Sequence, residues 1–234
     1  MKREALPVKV CKVYSSLLIL TCAYKRPEVF TIFLSHLPQL PLLVVGEQSD
    51  PCYEVLQQLR PDAWFVEHPN KPIGRKFNAG LQAAKDLDFS NLFITGSDDV
   101  FTPGLWDYYE RNKDSDYVGL LDFYFTDFFR TKYCPGFQHD RKGEPHGAGR
   151  MIKREVLEKN NWTLWDDEIN QGLDASATKK LKGLNTHFFR CKDIGEVALD
   201  IKLSENIQSM TDYEGEWVGN DILDKVLKKE VVNW

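Results

Sequence analysis

FITGSDDVFTPG, residues 93–104, places two adjacent carboxylates directly after a short apolar run and just ahead of a Pro-Gly turn. Leu92 to Thr95 has the length and continuous apolarity of a strand buried on both faces of a sheet. Open α/β sheets bind ligands at the carboxyl ends of such strands, so Asp98 and Asp99 are expected to project into a crevice there. Two partly buried acids side by side repel each other. A hard divalent cation, Mg2+ or Mn2+, relieves that repulsion and bridges to a diphosphate. The plainer alternative is a solvated turn or helix cap, where Ser and Asp are common.

Upstream, strand and helix alternate. Ser16 to Cys22 (SLLILTC) reads as a buried strand, and Pro27 opens a helix with Val29, Phe30, Phe33, Leu34 and Leu37 at roughly helical spacing. A second strand follows at Leu42 to Val45, then a helix over Cys52 to Arg60, a strand at Ala63 to Glu67 and a helix over Arg75 to Lys85. This is the pattern of βαβ units on a mainly parallel sheet. Downstream the pattern changes. Thr102 to Arg111 reads as a helix, Asp116 to Phe129 is strongly aromatic, and Cys134 to Gly149 is a loop rich in Gly, Pro and His. A strand and helix resume over Gly149 to Asn160, a helix over Asp174 to Leu181 and a strand at Thr186 to Phe189. No repeat or linker interrupts the chain, so the second half is expected to elaborate the same sheet. The expected fold class is α/β and Rossmann-like: a mixed, mainly parallel sheet flanked by helices, in a single domain over residues 1–234.

The 234 residues are 42% hydrophobic and 28% charged, as in ordinary globular proteins. A net charge of -5 argues against a broad cationic field for nucleic acid. Cys11, Cys22, Cys52, Cys134 and Cys191 stand singly with no CxxC pair, which suits reduced structural thiols in the cytoplasm. Met1 to Lys12 lacks the apolar core of an export signal, and Leu17 to Leu20 is only strand length, so neither export nor a membrane span is expected.

Several side chains suit a nucleotide. Tyr24 could stack on a base, Arg26 and Lys76 could offset diphosphate charge, and Asn78 can donate and accept at a ribose or base. Arg26 and Tyr24 each have a plainer alternative, as a surface cation and a loop aromatic. The glycines at 74 and 80 do not make GxGxxG, which disfavours a dinucleotide cofactor.

Taken in order, these segments resemble GT-A glycosyltransferases, especially the inverting family 2 type. Ser97-Asp98-Asp99 is similar to the family's Asp-x-Asp region, Thr21 to Pro27 to its nucleobase segment, Val44 to Asp50 to the end of its second strand, and Gly74 to Leu81 to its Gly-x-x-x-(Arg or small)-Asn-x-Gly segment. The resemblance implies a nucleotide-binding half over about residues 1–105, with Thr21, Tyr24, Arg26, Glu47, Lys76, Asn78, Ser97 and Asp98 at the nucleotide. It implies Mn2+ or Mg2+ held by Asp99 and Asp98. Ser97 stands where the first acid often stands, which makes Asp99 the better ligand.

An acceptor-binding half over about residues 106–234 is implied in the same way. Pro145 to Arg154 is similar to the family's Gly-rich acceptor segment, whose glycines let a sugar approach the backbone. Gly172-Leu173-Asp174 resembles the segment whose last acid is the general base. Asp174 is therefore the candidate base, although Leu173 replaces the usual first acid and a helix N-cap is the alternative role. Asp167 and Glu168 stand in reserve. A late histidine completes the metal site in many such enzymes, which nominates His187, with His139 and His146 competing for the role. The phenylalanines of Phe123 to Phe129 are assigned to the core. Leu199 to Ile207 has no firm physical account, and its polar residues could belong to a donor-side lid. The implied activity is inverting transfer of a sugar from a nucleotide donor, UDP-linked by expectation, to a hydroxyl of a glycan or a hydroxymethylated DNA base. The rivals are a nucleotidyltransferase and a non-catalytic nucleotide-binding module.

Overall fold

The computed structural model describes residues 16–203 and 210–227. The chain begins with β1 (Leu17–Cys22), α1 (Pro27–His36), β2 (Leu42–Gly46), α2 (Pro51–Leu59), β3 (Trp64–Glu67), α3 (Ile73–Ala84) and β4 (Asn91–Ile94). Proline stands in the first turn of α1 and α2, where its missing N–H costs nothing. The Asp50 side chain caps α2 by accepting from the Cys52 amide at 2.9 Å. The alternation read from the sequence is present in the expected order.

After β4 come β5 (Asp99–Phe101), α4 (Pro103–Arg111), β6 (Tyr117–Leu120), β7 (Phe123–Thr126), β8 (Thr131–Cys134), β9 (Arg150–Lys153), α5 (Arg154–Lys159), α6 (Leu173–Lys180), β10 (Thr186–Phe189), β11 (Ala198–Ile201), β12 (Glu216–Val218) and α7 (Asp221–Val226). Among the described residues, seven strands form a mixed sheet in the order β10-β6-β9-β4-β1-β2-β3. Its pairings are parallel except those of β9, which runs antiparallel to both β4 and β6. Alternate residues of the strands face opposite layers. Leu18, Leu20, Leu43 and Val45 pack with Leu81 of α3, Val156 and Leu157 of α5 and Ala177 of α6. Leu17, Ile19, Leu42 and Val44 share the other core with α1, α4 and a second sheet.

That second sheet departs from the sequence expectation. Of the later strands only β6, β9 and β10 join the large sheet; β12-β8-β7-β11-β5 make a separate five-stranded one. The aromatic run divides at Asp122, between β6 in one sheet and β7 in the other. Asp122 is fully buried and accepts from the Cys191 and Lys192 amides at 2.6 and 3.2 Å and from the Tyr133 hydroxyl at 3.2 Å, which fixes the crossing. Phe123 and Phe125 are core, as expected, but Phe129 at the β7–β8 turn is 87% exposed.

Phe93 joins these layers. Its ring lies 5.4 Å from Phe101 of β5 and 4.7 and 4.9 Å from Trp106 and Tyr109 of α4. Phe93→Ala should cost about 3–5 kcal/mol. Equilibrium urea unfolding measures this, and a loss below about 1 kcal/mol would contradict the packing described.

Candidate active site

The acids of residues 93–104 do not end in a bare turn. From β4 the chain passes through Thr95 to Asp98 and re-enters a sheet as β5, whose first residue, Asp99, pairs antiparallel with Asp200 of β11. Carboxylate oxygens of Asp98, Asp99 and Asp200 thereby lie within 4.8 Å of one another. Asp99 is 2% exposed, and its Oδ2 accepts from the Thr95 hydroxyl at 2.9 Å and the Gly96 amide at 2.5 Å. A Cβ at residue 96 would stand 2.5 Å from Asp98 Oδ1 and 2.8 Å from Asp99 Oδ2, so any side chain there would displace these carboxylates.

Burial raises the Asp99 carboxyl well above the ordinary range, and Asp200 and Asp98 raise it further. Burial also pushes Asp200 up to about 7, with Asp98 adding to it and Lys202 pulling the other way. Two cations meet the cluster: Arg26 Nη1 lies 2.9 Å from Asp98 Oδ2, and Lys202 Nζ lies 2.6 Å from Asp200 Oδ2. Asp200 Oδ1 is buried without a hydrogen-bond partner. An orphaned oxygen among converging carboxylates is a donor set that suits Mg2+ or Mn2+. Asp200 was not nominated from the sequence; it falls in the Leu199–Ile207 stretch that had no account, of which residues 204–207 lie outside the described residues.

The cluster lies in a cleft of about 960 Å3. Tyr24, Arg26 and Lys76 line it from the large sheet, Phe125 and Tyr213 from the other side, and Arg141, His146, Arg150 and Asp174 also face it. Lys25 and Arg26 both carry positive φ, 41° and 140°. Non-glycine residues adopt such angles at a cost of about 1–3 kcal/mol each and only when their surroundings hold them. Here the Lys25 amide donates to Asp50 at 2.8 Å and Arg26 is held by Asp98.

Of the residues nominated from sequence, Tyr24, Arg26, Lys76, Ser97, Asp98, Asp99, Asp174, His139 and His146 line this cleft. Lys76 is almost wholly buried, with its ammonium donating to the Ala23 carbonyl at 2.8 Å and Asn70 Oδ1 at 3.0 Å; burial lowers its pKa. Burial likewise lowers His146 to about 4, and its Nε2 has no partner.

Other nominees lie elsewhere. Thr21 is fully buried within β1. Glu47 accepts from the Asn70 amide at 2.9 Å and so shapes the loop that holds Lys76. Asn78 is committed to structure: its amide donates to the Trp165 carbonyl and Asp167 Oδ1 at 2.8 and 2.7 Å, and its oxygen accepts from the Leu164 and Trp165 amides at 3.1 and 3.2 Å. The Gly74–Asn78 segment is thus a clamp for the chain at residues 164–169, and a Cβ on Gly74 would collide with the Asp166 carbonyl. Asp167 is held by Asn78 and Glu168 is paired with Arg75, so neither reserve acid faces the cleft. His187 sits on β10 at the edge of the large sheet, 3.0 Å from the Tyr108 hydroxyl and outside the acidic cluster.

Asp174 occupies the first turn of α6, whose N-cap position is Gly172 with φ 71°, so the N-cap role read for Asp174 does not hold. Its carboxylate lies 3.2 Å from Arg150, a fully buried guanidinium, and 3.9 Å from Arg141. A Cβ at residue 147 would stand 2.1 Å from Asp174 Oδ1. The glycine therefore leaves room for this carboxylate beside the backbone.

No family model matches the sequence, and no curated protein does. Solved structures do match. S. aureus TarS superposes with a TM-score of 0.51 at 13% identity, covering 82% of this chain and 36% of that one. The 1–349 portion of TarS gives 0.50 at 13%, covering 82% and 59%. The fold is GT-A-like. A 4-diphosphocytidyl-2C-methyl-D-erythritol synthase gives 0.50 at 15%, covering 75% of this chain and 88% of its own. This chain spans well under two thirds of TarS. No described helix is long and apolar enough to cross a membrane.

The raised Asp200 carboxyl fixes the sign of a pH effect. An acid that titrates at about 7 when folded and near 3.8 when unfolded favours the folded state at low pH, and loses that contribution as pH rises from about 4 to 7. The melting temperature of the metal-free protein, relative to Asp200→Asn, should fall across that window. A difference that stays flat with pH would overturn the description.

Proposed function

We propose that this chain is a metal-dependent glycosyltransferase that moves a sugar, with inversion, from a UDP-linked donor to an acceptor hydroxyl. The observation that carries the reading is the convergence of Asp98, Asp99 and Asp200 beside Tyr24 and Arg26 in one cleft. The three carboxylates would hold Mn2+ or Mg2+, which when bound supplies positive charge for the departing diphosphate. Tyr24 offers a face to the base, and Arg26 a charge-assisted hydrogen bond donor to a phosphate. Asp174 takes the proton of the acceptor hydroxyl as that oxygen attacks the anomeric carbon and the bond to the diphosphate breaks. Its ion pair with Arg150 fixes the orientation of the carboxylate. A single displacement needs one base, which is why inversion is the expected outcome. The first half of the chain then serves the nucleotide and the second the acceptor, a glycan or a hydroxymethylated base. The four described cysteines are free thiols, which supports a cytoplasmic setting.

Fold alone does not separate glycosyl from nucleotidyl transfer. The turn from β1 to α1 favours the former, because Thr21 to Pro27 contains no glycine from which to build a phosphate loop. Incubation with UDP-sugars and Mn2+ tests the reading: free UDP and sugar should accumulate, and Asp99→Ala should cut the rate about a hundredfold or more. Asp174→Asn should keep UDP–Mn2+ binding while slowing transfer by about 10²-fold or more. Binding of UDP that ignores metal, with no turnover of any nucleotide sugar, would instead mark a non-catalytic module.

A further inference from the structure

Three carboxylates meet two cations in the cleft, since Arg26 pairs with Asp98 and Lys202 with Asp200. With all three acids ionised the cluster carries about one net negative charge against its two cations, which repels a diphosphate; a divalent ion reverses the sign. Lys202 is the less obvious of the two cations. It extends from the end of β11, its amide donating to the Thr126 carbonyl at 2.7 Å. Its ammonium lies 5.4 and 5.6 Å from the ring centres of Phe125 and Tyr213, which stack on each other at 4.2 Å. The side chain is 10% exposed and still lines the cleft. The aromatic wall keeps the ammonium beside Asp200 and, through Asp200, within a few ångström of anything held between the three acids.

We infer that Lys202 is a diphosphate-binding residue whose charge also opposes the metal, so that a diphosphate binds only after the divalent ion. The unpartnered Asp200 Oδ1 would be open to the metal, while Lys202, held on Oδ2, would offer its charge to a phosphate bound there. This rests on the metal site of the proposed function, but not on the nucleoside or the sugar. Two effects of opposite sign follow when the charge is removed. A metal ion no longer meets a neighbouring cation, and a phosphate loses one.

Calorimetric titrations of the full chain test this with Mn2+ alone, then with pyrophosphate and UDP, each with and without saturating Mn2+. In the wild type, pyrophosphate should bind only in the presence of Mn2+. Lys202→Met keeps an unbranched apolar side chain beside Phe125 and Tyr213. It should tighten Mn2+ about tenfold and weaken pyrophosphate and UDP on the Mn2+-loaded protein about tenfold or more. Lys202→Arg should stay near wild type in both. If Lys202→Met does not melt cooperatively, Lys202→Gln carries the same comparison. Unchanged or weakened Mn2+ binding, or unchanged pyrophosphate binding, overturns the inference while leaving the metal site intact. Mn2+-dependent pyrophosphate binding without UDP binding refutes the nucleotide donor and leaves Lys202 in place. A wild type that takes up no Mn2+ removes both.

Discussion

Like charges held together out of water are the constraint on which the rest of this structure turns. Asp98, Asp99 and Asp200 approach within 4.8 Å although burial and mutual repulsion both oppose it. What forces them together is backbone pairing. β5 begins directly after the two turn residues Ser97 and Asp98, and its antiparallel register with β11 sets Asp99 opposite Asp200. The small sheet therefore does more than close a layer; it carries the third acid to the other two. Thr95, Gly96, Arg26 and Lys202 then offset part of the cost through hydrogen bonds and opposite charge.

The large sheet supplies the fixed side of the cleft. β1 and β4 lie side by side and parallel, so the turns that leave them, with Tyr24 and Arg26 on one and Ser97 and Asp98 on the other, open at the same end. Buried Lys76 and the Glu47–Asn70 contact hold the first of these turns from behind. Across the cleft, Arg150 projects from the antiparallel strand β9 to Asp174 on α6. The two sides of the cleft thus draw on different elements, the turns after β1 and β4 on one and β9 with α6 on the other.

The first hundred residues were legible because their signal is local. Each strand is a continuous apolar run and each helix keeps its period, so order and type could be read directly. Asp98 and Asp99 were visible for the same reason, lying next to a strand end. Asp200 was not, since its partnership depends on pairing across about a hundred residues of chain. A four-residue strand, ALDI, gives no sign of which sheet it joins. Asn78 misled for a different reason: an amide that could serve a ribose serves the backbone of residues 164–165 equally well, and composition cannot separate the two. His187 shows the same ambiguity, resolved by the Tyr108 hydroxyl.

The central claim is that a divalent ion sits between these three carboxylates when a diphosphate is bound. Anomalous diffraction from crystals grown with Mn2+ and UDP tests it most directly. The account predicts one strong manganese peak within bonding distance of Asp98, Asp99 or Asp200 oxygens and of the diphosphate. A diphosphate bound in the cleft with no manganese beside these acids would contradict it.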